Sequence, residues 1–141
     1  MPKMIFVNLP VRDLPRPVSF YEAIGAVKNP QFSDDTAACL VFSDTIFAML
    51  LTHEKFKQFT AKPIADAKAS CEVLIALNQD SREAVDAILA KVGTAGGTVD
   101  AGPVQEHGFM YSRSFEDPDG HIWEIFWMDP AMVAGAEPVA A

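Results

Sequence analysis

The sequence is poor in cysteine, lacks long apolar runs and carries few cations. It holds only two cysteines, Cys39 and Cys71, each inside or beside an apolar run and without CxxC spacing. That pattern reads as reduced core cysteines of a cytoplasmic protein rather than a redox or metal motif. No run of about 18 apolar residues occurs, so no membrane-spanning helix is predicted. Met1-Pro2-Lys3 leads straight into a strand-like run, so no secretory leader is expected. Lys and Arg number 11 against 19 Asp and Glu, for a formal net charge of −8. This balance argues against nucleic acid and anionic membrane surfaces as partners, and suits a neutral or cationic small ligand. What is present is apolar: half of the 141 residues, enough to build a core for one domain or two small half-domains.

Taken in order, Met4 to Leu9 reads as a strand ended by Pro10. Asp13 is a candidate helix cap, with Pro15 in the first turn, Val18, Tyr21 and Ile24 at helical spacing, and Gly25 closing the helix. Ala26 to Phe32 reads as an edge strand because Pro30 lies within it. Ala37 to Phe42 and Ile46 to Leu51 are strands. Thr52 can cap a short helix over His53 to Phe59, and Pro63 to Ser70 is a connector. The pattern then restarts. Cys71 to Leu77 is a strand, and Asp80 with Glu83 has capping-box spacing. Val85, Ile88, Leu89 and Val92 form a helical face ending at Gly93, and Thr98 to Val104 is a strand. The fold class predicted is α+β, a duplicated βαβββ unit whose two modules form a curved mixed sheet enclosing a cleft. The domain spans 1–128, with module one over 3–52, a connector over 53–70 and module two over 71–128. Residues 129–141 are expected to form a loose tail.

The last strand pair organises the second half. Phe109, Tyr111 and Phe115 alternate along one strand, Asp117-Pro118-Asp119-Gly120 is a turn, and Ile122 to Trp127 is an aromatic strand with Glu124 at its centre. Ile122 and Phe126 share Glu124's face, so the carboxylate is expected to be buried and in need of a partner. A four-residue turn sets Phe115 opposite Ile122, Arg113 opposite Glu124 and Tyr111 opposite Phe126. Arg113 is then the expected partner of Glu124, either as a structural pair or as a polar spot in an apolar cleft.

Three stretches resemble the vicinal oxygen chelate superfamily, which includes glyoxalase I, extradiol dioxygenases, fosfomycin-resistance enzymes and bleomycin-resistance binding proteins. They are Val7-Asn8-Leu9-Pro10-Val11-Arg12-Asp13-Leu14 with Ser19-Phe20-Tyr21 and Gly25; Leu74-Ile75-Ala76-Leu77 with Gly96-Gly97; and Phe115-Glu116-Asp117-Pro118-Asp119-Gly120-His121-Ile122-Trp123-Glu124. The resemblance implies two paired modules and, in metal-dependent members, ligands from the first and last strand of each module. Those four places fall on Phe6, on Ala48 or its neighbour Met49, on Leu74 and on Glu124. Only Glu124 is a metal-ligating residue, whereas Lewis-acid catalysis uses about three protein donors.

The expected function is therefore binding of a small organic molecule in an aromatic cleft, without a complete catalytic metal site and with no cofactor. Phe6, Tyr111, Arg113, Phe115 and Phe126 are the candidate ligand contacts. The alternative implied by the resemblance is a divalent-metal enzyme of the glyoxalase I lyase or dioxygenase type. Glu124 would then be catalytic and a metal ligand, with His107 at the hairpin mouth as an acid–base or ligating group. A second alternative is an interaction dimer without a ligand. A homodimer is expected on either reading. His121 is read as structural or exposed, and His53 as solvent-facing.

Overall fold

The computed structural model of the chain describes residues 1–134. Its elements run β1 (Ile5–Val11), α1 (Pro15–Ala23), β2 (Val27–Asn29), β3 (Ala37–Val41), β4 (Ile46–Thr52), α2 (His53–Phe56), β5 (Ile75–Asn78), α3 (Arg82–Ala95), β6 (Thr98–Val99), β7 (Gln105–Glu106), β8 (Met110–Glu116), β9 (Ile122–Met128) and α4 (Pro130–Ala134). The first half forms a sheet in the order β1-β4-β3-β2, the second a sheet in the order β5-β9-β8-β6, with β7 also on β8. In each half the first strand lies parallel to the last (β1 on β4, β5 on β9), and the other pairs are antiparallel. This is the duplicated α+β plan, built as two separate mixed sheets. Among the described residues no helix is long and apolar enough to cross a membrane.

Period-2 burial explains the first sheet. Val7, Leu9 and Val11 of β1, Ala48 and Leu50 of β4, and Ala38 and Leu40 of β3 all face one core, while Phe6, Asn8 and Pro10 point the other way. In α3, Val85, Leu89 and Val92 are each 0% exposed, at the spacing of one helical face. Each such side chain contributes on the order of 2 kcal/mol relative to exposure. Both halves share this core. Phe20 and Tyr21 of α1 reach into the second sheet, where Phe20 packs tilted on Phe115 and Tyr21 packs edge-on to Trp123. Gly97 permits that approach, because a Cβ there would lie 2.6 Å from the Phe20 ring.

Several local expectations are corrected. β1 runs through Pro10 to Val11, since β1 is an edge strand and does not need the missing N–H. β2 stops at Asn29, whose side chain caps a short 3₁₀ turn over Pro30–Phe32. Leu14, not Asp13, precedes α1, and no side chain caps that end. Ser81, not Asp80, caps α3 by accepting from the Ala84 N–H, and α3 continues past Gly93 to a cap at Gly96. β5 starts at Ile75 rather than Cys71, and the strand expected over Thr98–Val104 is only Thr98–Val99. Thr52 does cap α2. Within the expected tail, Pro130–Ala134 is helical; residues 135–141 lie outside the described residues.

Candidate functional site

The turn between β8 and β9 positions everything around it. Asp117 is buried. Its Oδ2 accepts from the Tyr21 hydroxyl at 2.5 Å, and its Oδ1 accepts from the Asp119 and His121 N–H groups at 2.9 Å each. The Trp123 indole N–H donates to the Tyr21 oxygen at 2.9 Å. Burial raises the Asp117 carboxyl above its ordinary range, and burial with the Asp117 charge raises the Tyr21 hydroxyl well above its own. Two further bonds tie this turn to β1 and the residues after it. The Arg12 N–H donates to Asp119 Oδ1 at 2.8 Å, and the Pro10 carbonyl accepts from His121 Nε2 at 2.7 Å.

This turn is one residue longer than the sequence reading assumed. Glu116 pairs with Ile122, so Phe115 faces Trp123, Ser114 faces Glu124, Arg113 faces Ile125 and Tyr111 faces Trp127. The expected pairs Phe115–Ile122, Arg113–Glu124 and Tyr111–Phe126 are therefore corrected. A one-residue slip moves a whole strand face. Tyr111, Arg113 and Phe115 now point toward α3 and the core, away from Glu124. Phe115 is 0% exposed. The Tyr111 hydroxyl donates to Asp86 Oδ1 at 2.6 Å, and Arg113 donates to Asp86 at 3.0 Å and to Asp100 at 2.9 and 3.0 Å. The Asp100 hydrogen bond leads in raising the Arg113 pKa, and the Tyr111 hydrogen bond leads in lowering that of Asp86. Arg82 packs over the Tyr111 and Trp127 rings and pairs with Glu106.

Glu124 sits between Trp123 and Ile125, both core residues, so it points to the opposite, open face. Its strand neighbours there are Ser114 and Ala76. It is half-buried rather than buried. Among the described residues no hydrogen bond or ion pair engages its carboxylate. Phe126 shares that face. Phe6 lies on the open face of β1, 46% exposed and stacked on Phe47 at 4.4 Å.

The four places that hold metal ligands in metal-dependent relatives can now be compared by face. Ala48 is 0% exposed in the core, so its neighbour Met49 is the first-half counterpart of Glu124. Leu74 precedes β5 and is 57% exposed, and Ala76 is the β5 residue beside Glu124. The donor set is one carboxylate and the Asn8 amide beside Met49, among Phe6, Met49, Leu74 and Ala76, which is short of the about three donors of a Lewis-acid centre. Among the described residues no group of three or more His, Cys, Asp and Glu could hold a metal ion. His107 is exposed in the β7–β8 turn, its ring against Phe109. The turn lies beyond the Met110–Met128 pair, four strand residues from Glu124, or about 13 Å. His53 is exposed on α2.

The cavities lie elsewhere, on either side of the chain between α2 and β5. One, of about 340 Å³, is apolar in character; Leu9, Phe56, Ile64, Val73, Ile75 and Ile122 line it, and Cys71 and Lys62 also border it. A second, of about 900 Å³, is charged and lies between the start of α1, α2, the 63–68 segment and the turn at Asp119. His121, Pro10 and Ile64 border both. Gly120 fixes this arrangement, since it packs directly on the backbone of Ala67 and Lys68. The sequence pattern marks this segment only as a connector. The residues that matter are scattered along the chain, and the apolar spacing of Ile64 and Val73 was the one available signal.

The model of the Glyoxalase/Bleomycin resistance protein/Dioxygenase superfamily matches residues 3–125. No curated protein matches. Among solved structures, hypothetical protein SA1046 from S. aureus is similar at 27% identity and a TM-score of 0.74, covering 90% of this chain and 95% of its own. A glyoxalase-related enzyme from Fulvimarina pelagi is similar at 19% identity and a TM-score of 0.75, covering 100% and 94%. The fosfomycin resistance protein FosX from Mesorhizobium loti is similar at 18% identity and a TM-score of 0.68, covering 96% and 99%. The chain belongs to the Glyoxalase/Bleomycin resistance protein/Dioxygenase superfamily.

Proposed function

We propose that this protein is a cytoplasmic small-molecule-binding member of its superfamily that works without a complete catalytic metal site. The observation that carries the reading is the donor set: Glu124, with only the Asn8 amide beside Met49, stands among Phe6, Met49, Leu74 and Ala76. The binding place is the apolar cavity beneath residues 60–73 rather than an aromatic cleft around Glu124. Its volume of about 340 Å³ falls within the range of small-ligand sites. Its walls come from both halves of the chain, as the lining by Leu9 and Ile122 requires. The functional unit is a homodimer. Ile5 and Phe6 on the β1 edge, and Val73 and Leu74 before β5, are large exposed apolar residues of the kind a second copy covers.

Cys71 provides the test. It is exposed and borders the apolar cavity, whereas Cys39 is buried and its thiol is pushed up by burial. The neutral fluorophore N-phenyl-1-naphthylamine is expected to bind saturably, and to slow the reaction of Cys71 with an aromatic disulfide reagent at least fivefold. Non-saturable fluorescence, or a Cys71 rate unchanged by the fluorophore, contradicts this reading.

A further inference from the structure

The cavity of about 900 Å³ carries a charge opposite to that of the molecule. Four cations line it, Arg12, Arg16, Lys57 and Lys68, against three acids, Asp13, Asp66 and Asp119. That is a local charge of +1 before its two histidines are counted, in a chain of net charge −8. The cations arrive from separate segments: the end of β1, the first turn of α1, the end of α2, and the segment before β5. Their convergence is a product of the fold and not of a basic run in the sequence.

Two of the three acids each hold a backbone N–H with one oxygen and keep their charge. Asp119 Oδ1 accepts the Arg12 N–H, and Asp66 Oδ1 accepts the Lys68 N–H. Among the described residues none of the four cationic side chains is within ion-pair distance of a carboxylate. The start of α1 also faces this cavity through Arg16 and Pro17. It has no side-chain cap and no acid in its first turn, but Asp13 lies just before it on the same cavity and Pro15 and Pro17 lack an N–H, so the attraction comes from the side chains and not from the helix end. Unpaired guanidinium and ammonium groups around a concavity favour oxyanions, with arginine supplying a planar two-point donor.

We propose that this cavity is an oxyanion-binding site for a small molecule bearing phosphate or multiple carboxylates. The inference stands apart from the occupant of the apolar cavity. Arg12, Arg16, Lys57 and Lys68 supply the attraction, and His53 at the rim adds a donor. A phosphate ester and a polycarboxylate share this chemistry, and the test separates them.

Amide spectra are followed during titration with inorganic pyrophosphate and, separately, with citrate, at constant ionic strength held by sodium chloride. The expected result is saturable shifts confined to residues 10–18, 53–58, 63–68 and 118–121 with at least one of the two anions. The tighter anion identifies the preferred class. In the double variant Arg16→Gln/Lys57→Gln the midpoint is expected to rise at least tenfold. Arg16→Glu/Lys57→Glu is expected to abolish saturation. Both variants change exposed side chains, and N-phenyl-1-naphthylamine binding, unchanged in them, serves as the check on folding. Shifts that fail to saturate with either anion, that map elsewhere, or that persist at the same midpoint in the double variant overturn the proposal. No saturable anion binding by the wild-type protein, with its fluorophore binding intact, overturns this inference alone.

Discussion

Asp117→Ala is expected to destabilise the protein by about 3–4 kcal/mol. The substitution leaves the buried Tyr21 hydroxyl without its acceptor and removes the partner of the Asp119 and His121 N–H groups. Each unsatisfied buried group costs about 1–3 kcal/mol, and removal of a buried carboxylate offsets part of the sum. For a domain of this size the loss corresponds to a drop of about 10 °C in Tm. Asp117→Asn separates the charge from the hydrogen bonds. Burial raises the folded-state Asp117 pKa above the ordinary 3.8, so the folded state holds this proton more tightly than the unfolded chain. The resulting stabilisation is present below the unfolded value and is lost as pH rises through the folded value. Denaturant unfolding at pH 4 and pH 7 is therefore expected to move the difference between wild type and Asp117→Asn in favour of the variant at the higher pH. A difference independent of pH contradicts this account of the turn.

Gly120→Ala is expected to cost about 3 kcal/mol and to open the cavities as well. Gly120 has φ +96°, and a Cβ there would lie 2.8 Å from backbone atoms of Ala67 and Lys68. The left-handed conformation alone costs roughly 1–2 kcal/mol for a side-chain-bearing residue, and overpacking adds about 1–3. The backbone of residues 67–68 cannot rotate aside as a side chain could, so that segment must shift. Cys71 is expected to react at least threefold faster and N-phenyl-1-naphthylamine to bind at least fivefold more weakly. Gly108→Ala is the control: φ there is +76° with nothing within 4 Å of the added carbon, so only the backbone penalty applies. Equal losses of stability and binding in the two variants contradict a role for Gly120 in seating the connector.

The two-module plan was legible because it rests on local signals. Val7, Leu9 and Val11 alternate, Val85, Leu89 and Val92 recur at helical spacing, and the sequence restarts after residue 70. The alternation that sets Glu124 opposite Trp123 and Ile125 was also legible, but the apolar Ile122 and Phe126 beside it do not bury that face, and Glu124 is half-buried. The pairing of β8 with β9 was not legible. The extra turn residue is His121, whose N–H donates to Asp117 and whose ring donates to the Pro10 carbonyl, 111 residues earlier, and no local pattern reports that contact. One extra turn residue then carried Arg113, Tyr111 and Phe115 to the core side. The cavities were hidden for a similar reason. Their walls are single residues from β1, α2, the 60–73 segment and the β8–β9 turn, brought together only by the tertiary fold.

The reading of a binding protein without a catalytic metal centre rests on Glu124 being the lone donor at the four ligand places. Elemental analysis of wild-type and Glu124→Ala protein, purified without a histidine tag or chelator, tests it most directly. The account predicts no stoichiometric nickel, zinc, manganese or iron in either sample. Stoichiometric metal in the wild type that is lost in Glu124→Ala would contradict it, and would assign Glu124 to a metal centre of the lyase or dioxygenase type.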